Sequence, residues 1–257
     1  MNKLEFLKTL PKREAMYIMI SRLTRLPYAV CAEDTFEDEV FLFTEESEAI
    51  ERAKKLSAEG KPVAAMKIEQ KDLLKYFAEL YAYGFTMLVV RSGVEMLRFT
   101  LPEIVRRHGL EKLPEKMRPL ENPALQLSMI YYLQEVRRGA GNYDADAVAE
   151  QEEEMAVNLL RAKYLLPVKE VEMDGKKLTQ LLLIKAGDGK PMVPIFSDVV
   201  EYNRFKKEDG LKAAVTDFEK LAEMPLPEEV GGFLLNPGSA ALVLTKEYMK
   251  RELDLNR

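Results

Sequence analysis

Apolar positions recur along this chain in two rhythms, one near the helical period and one alternating. In "REAMYIMISRLTRLP" the spacing of Ala15, Met16, Met19, Ile20 and Leu23 predicts a helix that stops at Pro27. "YAVCAE" and "VFLF" predict strands joined by the acidic turn "DTFEDE". "TEESEAIERAKKLSAEG" predicts a helix with Thr44 as N-cap and Gly60 closing it. A strand "PVAAMKIE", a helix "QKDLLKYFAELYAYG" and a hairpin of "FTMLVV" and "EMLRF" follow. Prolines and charges then mark a connector, after which "PALQLSMIYYLQEVRR" predicts a helix with Pro123 in its first turn. "AVAEQEEEMAVNLLRAKYLLP" predicts a long helix ending at Pro167. Strands "VKEVEM", "LTQLLLIKA" and "MVPIF" are set off by the turns "DGKK" and "GDGK". A helix "SDVVEYNRFKKEDG", a strand "KAAVT", a helix "DFEKLAEM" and the closing pair in "GGFLLNPGSAALVLT" complete the series.

The order of elements in the first half returns in the second. "VFLFTEESEAIERAKK" is echoed by "VPIFSDVVEYNRFKK", which aligns Phe43 with Phe196 and Thr44 with Ser197. "REAMYIMISRLTRLP" is echoed by "EEMAVNLLRAKYLLP", aligning Pro27 with Pro167, and "VAAMK" by "KAAVT". Asn236-Pro237-Gly238 takes the place of Arg91-Ser92-Gly93 between two strands. A type II turn suits both, with proline presetting the second position and glycine supplying positive φ at the third. The expected architecture is α+β: two related domains by internal duplication, each a small mixed sheet with hairpins packed against helices. Their bounds are 1–118 and 145–257, with a linker and helix at 119–144.

Composition narrows the function by exclusion. A net charge of −5 and a pI near 5.3 give no footprint for nucleic acid or an anionic membrane. The single cysteine, Cys31, allows no internal disulfide, which makes the cytoplasm the expected compartment. Cys31 and the single histidine, His108, are too few for a Cys/His metal site. Cys31 reads as a packing residue, and His108 as a solvated residue near a helix end. The carboxylates of "DTFEDE" lack EF-hand spacing, and "GDGK" lacks P-loop spacing. Glu150, Glu152, Glu153 and Glu154 spread over several faces of one helix and read as its solvated start. No catalytic, cofactor or metal residue is predicted. Thr44 and Ser197, at strand-to-helix junctions, are helix caps and the candidate contacts for a ligand or partner.

"VPIFSDVVEYNRF", followed by "GGFLLNPGSAALVLT", resembles the SseB family of bacterial proteins. That family shows a Val-Pro-hydrophobic-Phe-Thr/Ser junction and a later hydrophobic-Asn-Pro segment. The resemblance is clearest from Val168 to Met249; the first half departs from it, with Phe41 for the proline and "VVRSG" for "NPG". It implies an α+β domain and supplies no catalytic residues. The expectation is a non-catalytic protein- or peptide-binding module. The alternative is a sensor of a small anion or amino acid, and a third reading is a carboxylate-dependent enzyme.

Overall fold

Alternation rather than helical spacing governs the first apolar run. The stretch expected as a helix at residues 13–27 is a strand, β1 (Ala15–Ser21), and Pro27 only bridges back to Ile20. Met16 and Ile18 bury one face and Met19 and Ser21 the other. A strand covered on both faces reads as a continuous apolar run, which periodicity alone does not separate from a buried helix. The same reason cuts the long helix short: α6 (Ala145–Arg161) ends before "KYLLP", which opens a strand rather than closing a helix. The computed structural model describes residues 2–256 apart from Val94, His108, Ala140, Asn142, Asp174, Gly175, Asp188 and 206–209. The His108 reading and the tips of the "DGKK" and "GDGK" turns therefore lie outside the described residues.

Contacts divide the chain into two units, Met1–Arg118 with Gln126–Gln151, and Pro119–Leu125 with Glu152–Arg257. The first holds α1 (Lys3–Thr9), β1, β2 (Val30–Cys31), β3 (Asp38–Phe43), α2 (Glu46–Ala58), β4 (Val63–Glu69), α3 (Gln70–Ala82), β5 (Met87–Ser92), β6 (Glu95–Thr100) and α4 (Leu101–Ile104). Its sheet runs β4-β1-β3-β5-β6, with β2 attached to β3. Only β3 and β5 are parallel; the other described pairs are antiparallel. Helix α2 covers one face, where Met19, Tyr28, Phe43, Ala49, Ala53, Leu56 and Val63 form a buried cluster. The stretch 119–144, expected as linker and helix, is shared between the units. Most of α5 (Pro123–Val136) packs into the first, where the Gln134 amide bonds both backbone groups of Ala29 at 2.9 and 3.1 Å.

The second unit holds β7 (Lys163–Met173), β8 (Lys176–Leu181), β9 (Ile184–Lys185), β10 (Pro191–Ile195), α7 (Val199–Phe205), β11 (Leu211–Asp217), α8 (Phe218–Ala222), β12 (Gly232–Leu235), β13 (Leu242–Thr245) and α9 (Lys246–Leu255). One sheet runs β13-β12-β10-β9 and another β11-β7-β8, and a Leu165–Phe196 bridge ties β7 to the end of β10. The path β11-β7-β10-β12-β13 follows the order β4-β1-β3-β5-β6 of the first unit. Tyr17 faces Phe43 as Leu165 faces Phe196. Ala15 faces Glu69 as Lys163 faces Asp217, so the place of Pro167 falls at Met19, and the expected match with Pro27 is wrong.

The two turns also differ. Gly93 has φ 64°, whereas at Asn236-Pro237-Gly238 the left-handed residue is Asn236, at φ 51°, with Ala241 at φ 48° closing the loop. Ser239 N donates to Asn236 O at 3.0 Å, so the segment is a turn with proline at its second position. Gly238 does not supply the positive φ that a type II turn requires.

Candidate functional site

Polar residues inside otherwise apolar runs mark the first candidate. Ser197 and Asp198 follow β10, and Asn236 follows β12, so the parallel pairing of those strands brings them together. Asn236 Oδ1 accepts from Ser197 N at 3.0 Å while its Nδ2 donates to Ser197 Oγ at 2.8 Å. Ser197 Oγ in turn donates to Asp198 Oδ2 at 2.8 Å, and Asp198 Oδ1 accepts from Glu201 N at 2.9 Å, capping α7. Glu201 accepts from Ser239 Oγ at 2.7 Å and from Arg204 at 2.9 Å. Ser197, Asp198 and Asn236 are each 0% exposed. Such a satisfied network fixes one geometry for the loop. Ser197, expected as a cap, is not one: Asp198 caps, and the Ser197 hydroxyl is buried and bonded to Asp198 and Asn236. The turn and the junction read separately in the sequence are one clasp. The signal for it was the set of hydrogen-bonding side chains interrupting "VPIF…VVEY" and "FLL…AALVL".

The matching junction of the first unit is built differently. Thr44 N donates to Arg91 O at 3.1 Å, and Thr44 Oγ1 donates to Ser92 Oγ at 3.2 Å. Thr44 is not the N-cap of α2; that position is Glu45, whose side chain makes no cap bond. Beside Thr44 opens a cleft of about 570 Å³ whose lining includes Arg13, Glu14, Tyr17, Glu46 and Lys67. Both signs of charge face it.

Farther along α2 lies a second groove, of about 410 Å³, between the helix and the outer strand of the sheet. Ile50, Ala53, Lys54 and Ser57 line it from one stripe of α2, and Val63, Ala64 and Ala65 from β4, with Arg22 at its end. Arg22 N donates to Pro62 O, and Gln70 N to Glu14 O, both at 2.9 Å. The even-numbered residues of β4 therefore bond β1, and the odd-numbered ones direct their backbone groups outward. Ser57 Oγ meets those of Val63, donating to its carbonyl at 3.3 Å and accepting from its N–H at 3.5 Å. Ala65 and Lys67 come next, and their outward groups have no partner among the described residues. Ile50 is 38% and Met66 44% exposed beside this edge. Which strand becomes outermost is a long-range outcome, so no local motif announces the groove.

The remaining candidates resolve quietly. Cys31, expected to be buried, is exposed, because β2 is only two residues long at the sheet margin. Its thiol is pushed up by desolvation and by the nearby carboxylates of Asp38 and Glu39. In the acidic loop, Asp34 and Glu39 both pair with Arg98 at 2.9 Å. That bond to Arg98 holds the Asp34 carboxyl below its usual range, whereas desolvation raises Glu39. Among the described residues no cluster of three or more His, Cys, Asp or Glu side chains is placed to hold a metal ion, and no helix is long and apolar enough to cross a membrane.

Residues 142–250 match the family model described as the SseB protein N-terminal domain, so the resemblance read from the second half of the chain is borne out there. No curated protein matches the chain. Two solved structures are similar to it at low identity. Tic22 from Plasmodium falciparum is 14% identical over 98% of this chain and 97% of its own, with a TM-score of 0.24. Anabaena Tic22, described with protein transport, is 11% identical over 85% of this chain and 84% of its own, with a TM-score of 0.23. Overlays this loose say nothing about function. The fold itself is α+β, with small sheets packed against helices.

Proposed function

We propose that this is a non-catalytic, SseB-like bacterial protein that binds another protein or a peptide, and that it works in the cytoplasm. The observation that carries the reading is the open edge of β4 beside a groove in α2, where outward backbone groups at Ala65 and Lys67 adjoin partly exposed Ile50 and Met66. An extended chain added to such an edge gains backbone hydrogen bonds and lays alternate side chains into the groove. The carboxylates Asp198 and Glu201, which a carboxylate-dependent enzyme would need at a surface, are instead buried and used in the clasp.

Selection of a displayed random-peptide library on the intact chain tests this. Retained peptides should lose binding to the Ala65→Pro variant, which removes one outward N–H and leaves the β1 ladder intact. A selection that yields no peptide dependent on this edge would sink the reading.

The sensor reading has one observation in its favour, the cleft at Thr44 with Arg13 and Lys67 on its wall. Glu14, Glu45 and Glu46 face the same space and oppose an anion. Thermal-shift screening with amino acids and phosphorylated metabolites separates the two readings, since a bound ligand stabilises the folded chain.

A further inference from the structure

The peptide-binding reading leaves open what kind of segment the groove selects, and its charges answer that. On a chain of net charge −5, the only charged side chains among the described residues that line the groove between α2 and β4 are cations, Arg22 and Lys54. Both are exposed, so each meets a partner at little desolvation cost. Along the same edge the next outward position, Lys67, stands among Glu14, Glu45 and Glu46, so the cationic end of the groove is the one at Arg22 and Lys54. Beside Arg22 and Lys54 the floor is apolar, made by Ile50, Ala53 and Ala65. The Ser57 hydroxyl occupies the edge at Val63 and ends the free stretch on that side.

We infer that this groove takes an extended segment of a partner protein in which an acidic and an apolar residue stand two positions apart, on one face of a further strand added to β4. Its main chain pairs with Ala65 and Lys67. One apolar side chain packs against Ile50 and Ala53, and the carboxylate two residues away, on the same face of the added strand, reaches Arg22 and Lys54. The inference rests on the peptide-binding reading but makes a separate claim, about charge.

The test uses the intact chain and three blocked octapeptides of one apolar pattern. In the first, every second residue alternates glutamate and isoleucine with threonine between them, the second carries lysine for each glutamate, and the third is the acidic peptide with alternate amides N-methylated. Fluorescence anisotropy at low salt should show the acidic peptide binding at least tenfold tighter than the lysine peptide. N-methylation should abolish binding without any change to the protein. The double variant Arg22→Glu/Lys54→Glu, altered only at exposed positions, should reverse the preference. Equal binding of both charge forms, or no reversal in the double variant, overturns the acidic-segment inference and leaves the groove reading standing. Failure of every peptide, together with an edge-independent library selection, overturns both. A second copy is the other occupant such an edge could take. A dimer in sedimentation that Ala65→Pro converts to monomer would identify that occupant and overturn the inference.

Discussion

Asn236→Ala is the most demanding perturbation the second unit offers. Three losses combine at this fully buried position. The side chain's bond from Ser197 N, at 3.0 Å, disappears and strands a buried N–H, which costs about 1–3 kcal/mol. The bond to Ser197 Oγ, at 2.8 Å, is worth about 1 kcal/mol more. The backbone at φ 51° suits asparagine but penalises alanine by about 1 kcal/mol. The sum is about 3–5 kcal/mol, and Asn236→Gly should recover only the backbone part. Asn236→Asp keeps an acceptor for Ser197 N but turns a second acceptor toward Ser197 Oγ, whose proton is already given to Asp198. It should therefore fall near alanine rather than near the parent. Urea unfolding gives the free energies, and amide hydrogen exchange at Ser197 gives a local readout, with a 1.4 kcal/mol loss corresponding to about tenfold faster exchange under global opening. An alanine variant within about 1 kcal/mol of the parent, with Ser197 still protected, would refute the clasp as the element that fixes this loop.

The glycine turns separate by the same backbone logic: Gly93→Ala, at φ 64° in open space, should cost about 1 kcal/mol, and Gly238→Ala, also in open space, should be neutral within about 0.5 kcal/mol by urea unfolding. Equal costs would show that the two turns share a conformation after all. The Tyr76 hydroxyl is buried with no partner among the described residues, so Tyr76→Phe should raise stability by about 1 kcal/mol, and a loss of that size would reveal a bond not accounted for. Burial, with a smaller contribution from Glu135, pushes the Tyr28 phenol up to about 12 from its ordinary value near 10. Between those values the unfolded chain has released this proton and the folded chain still holds it, so stability falls as pH rises through the window, by at most about 3 kcal/mol. Tyr28→Phe should flatten that fall between pH 9 and 11.5, and parallel pH profiles for parent and variant would contradict the assignment.

What could be read from the chain, and what could not, divides by the range of the interactions involved. Helices α2 and α3 were legible because one face of each is apolar at the helical period and a glycine follows each, Gly60 and Gly84 with φ 78° and 86°. β1 was misread because its place between β3 and β4 buries both faces, and that place is set by strands that begin 23 and 48 residues after β1 does. The clasp was half legible. Asn236 was seen as a turn former and Ser197 as a cap, and each local reading missed the other residue because only the parallel pairing of β10 with β12 joins them. Short polar side chains inside strand ends admit two explanations, a local cap or a distant partner, and complete burial decides between them: a cap at the surface can be completed by water, whereas Ser197 N–H has to find Asn236. The groove on α2 was the least legible feature, since the stripe Ile50, Lys54, Ser57 looks like any solvated helix face until β4 is known to lie outermost beside it. Its cations acquire meaning only from the unpaired backbone next to them. For that reason the charge-reversal and N-methylation arms must be read together: an electrostatic preference without dependence on the peptide's backbone would place the partner on the face of α2 and not on the edge of β4.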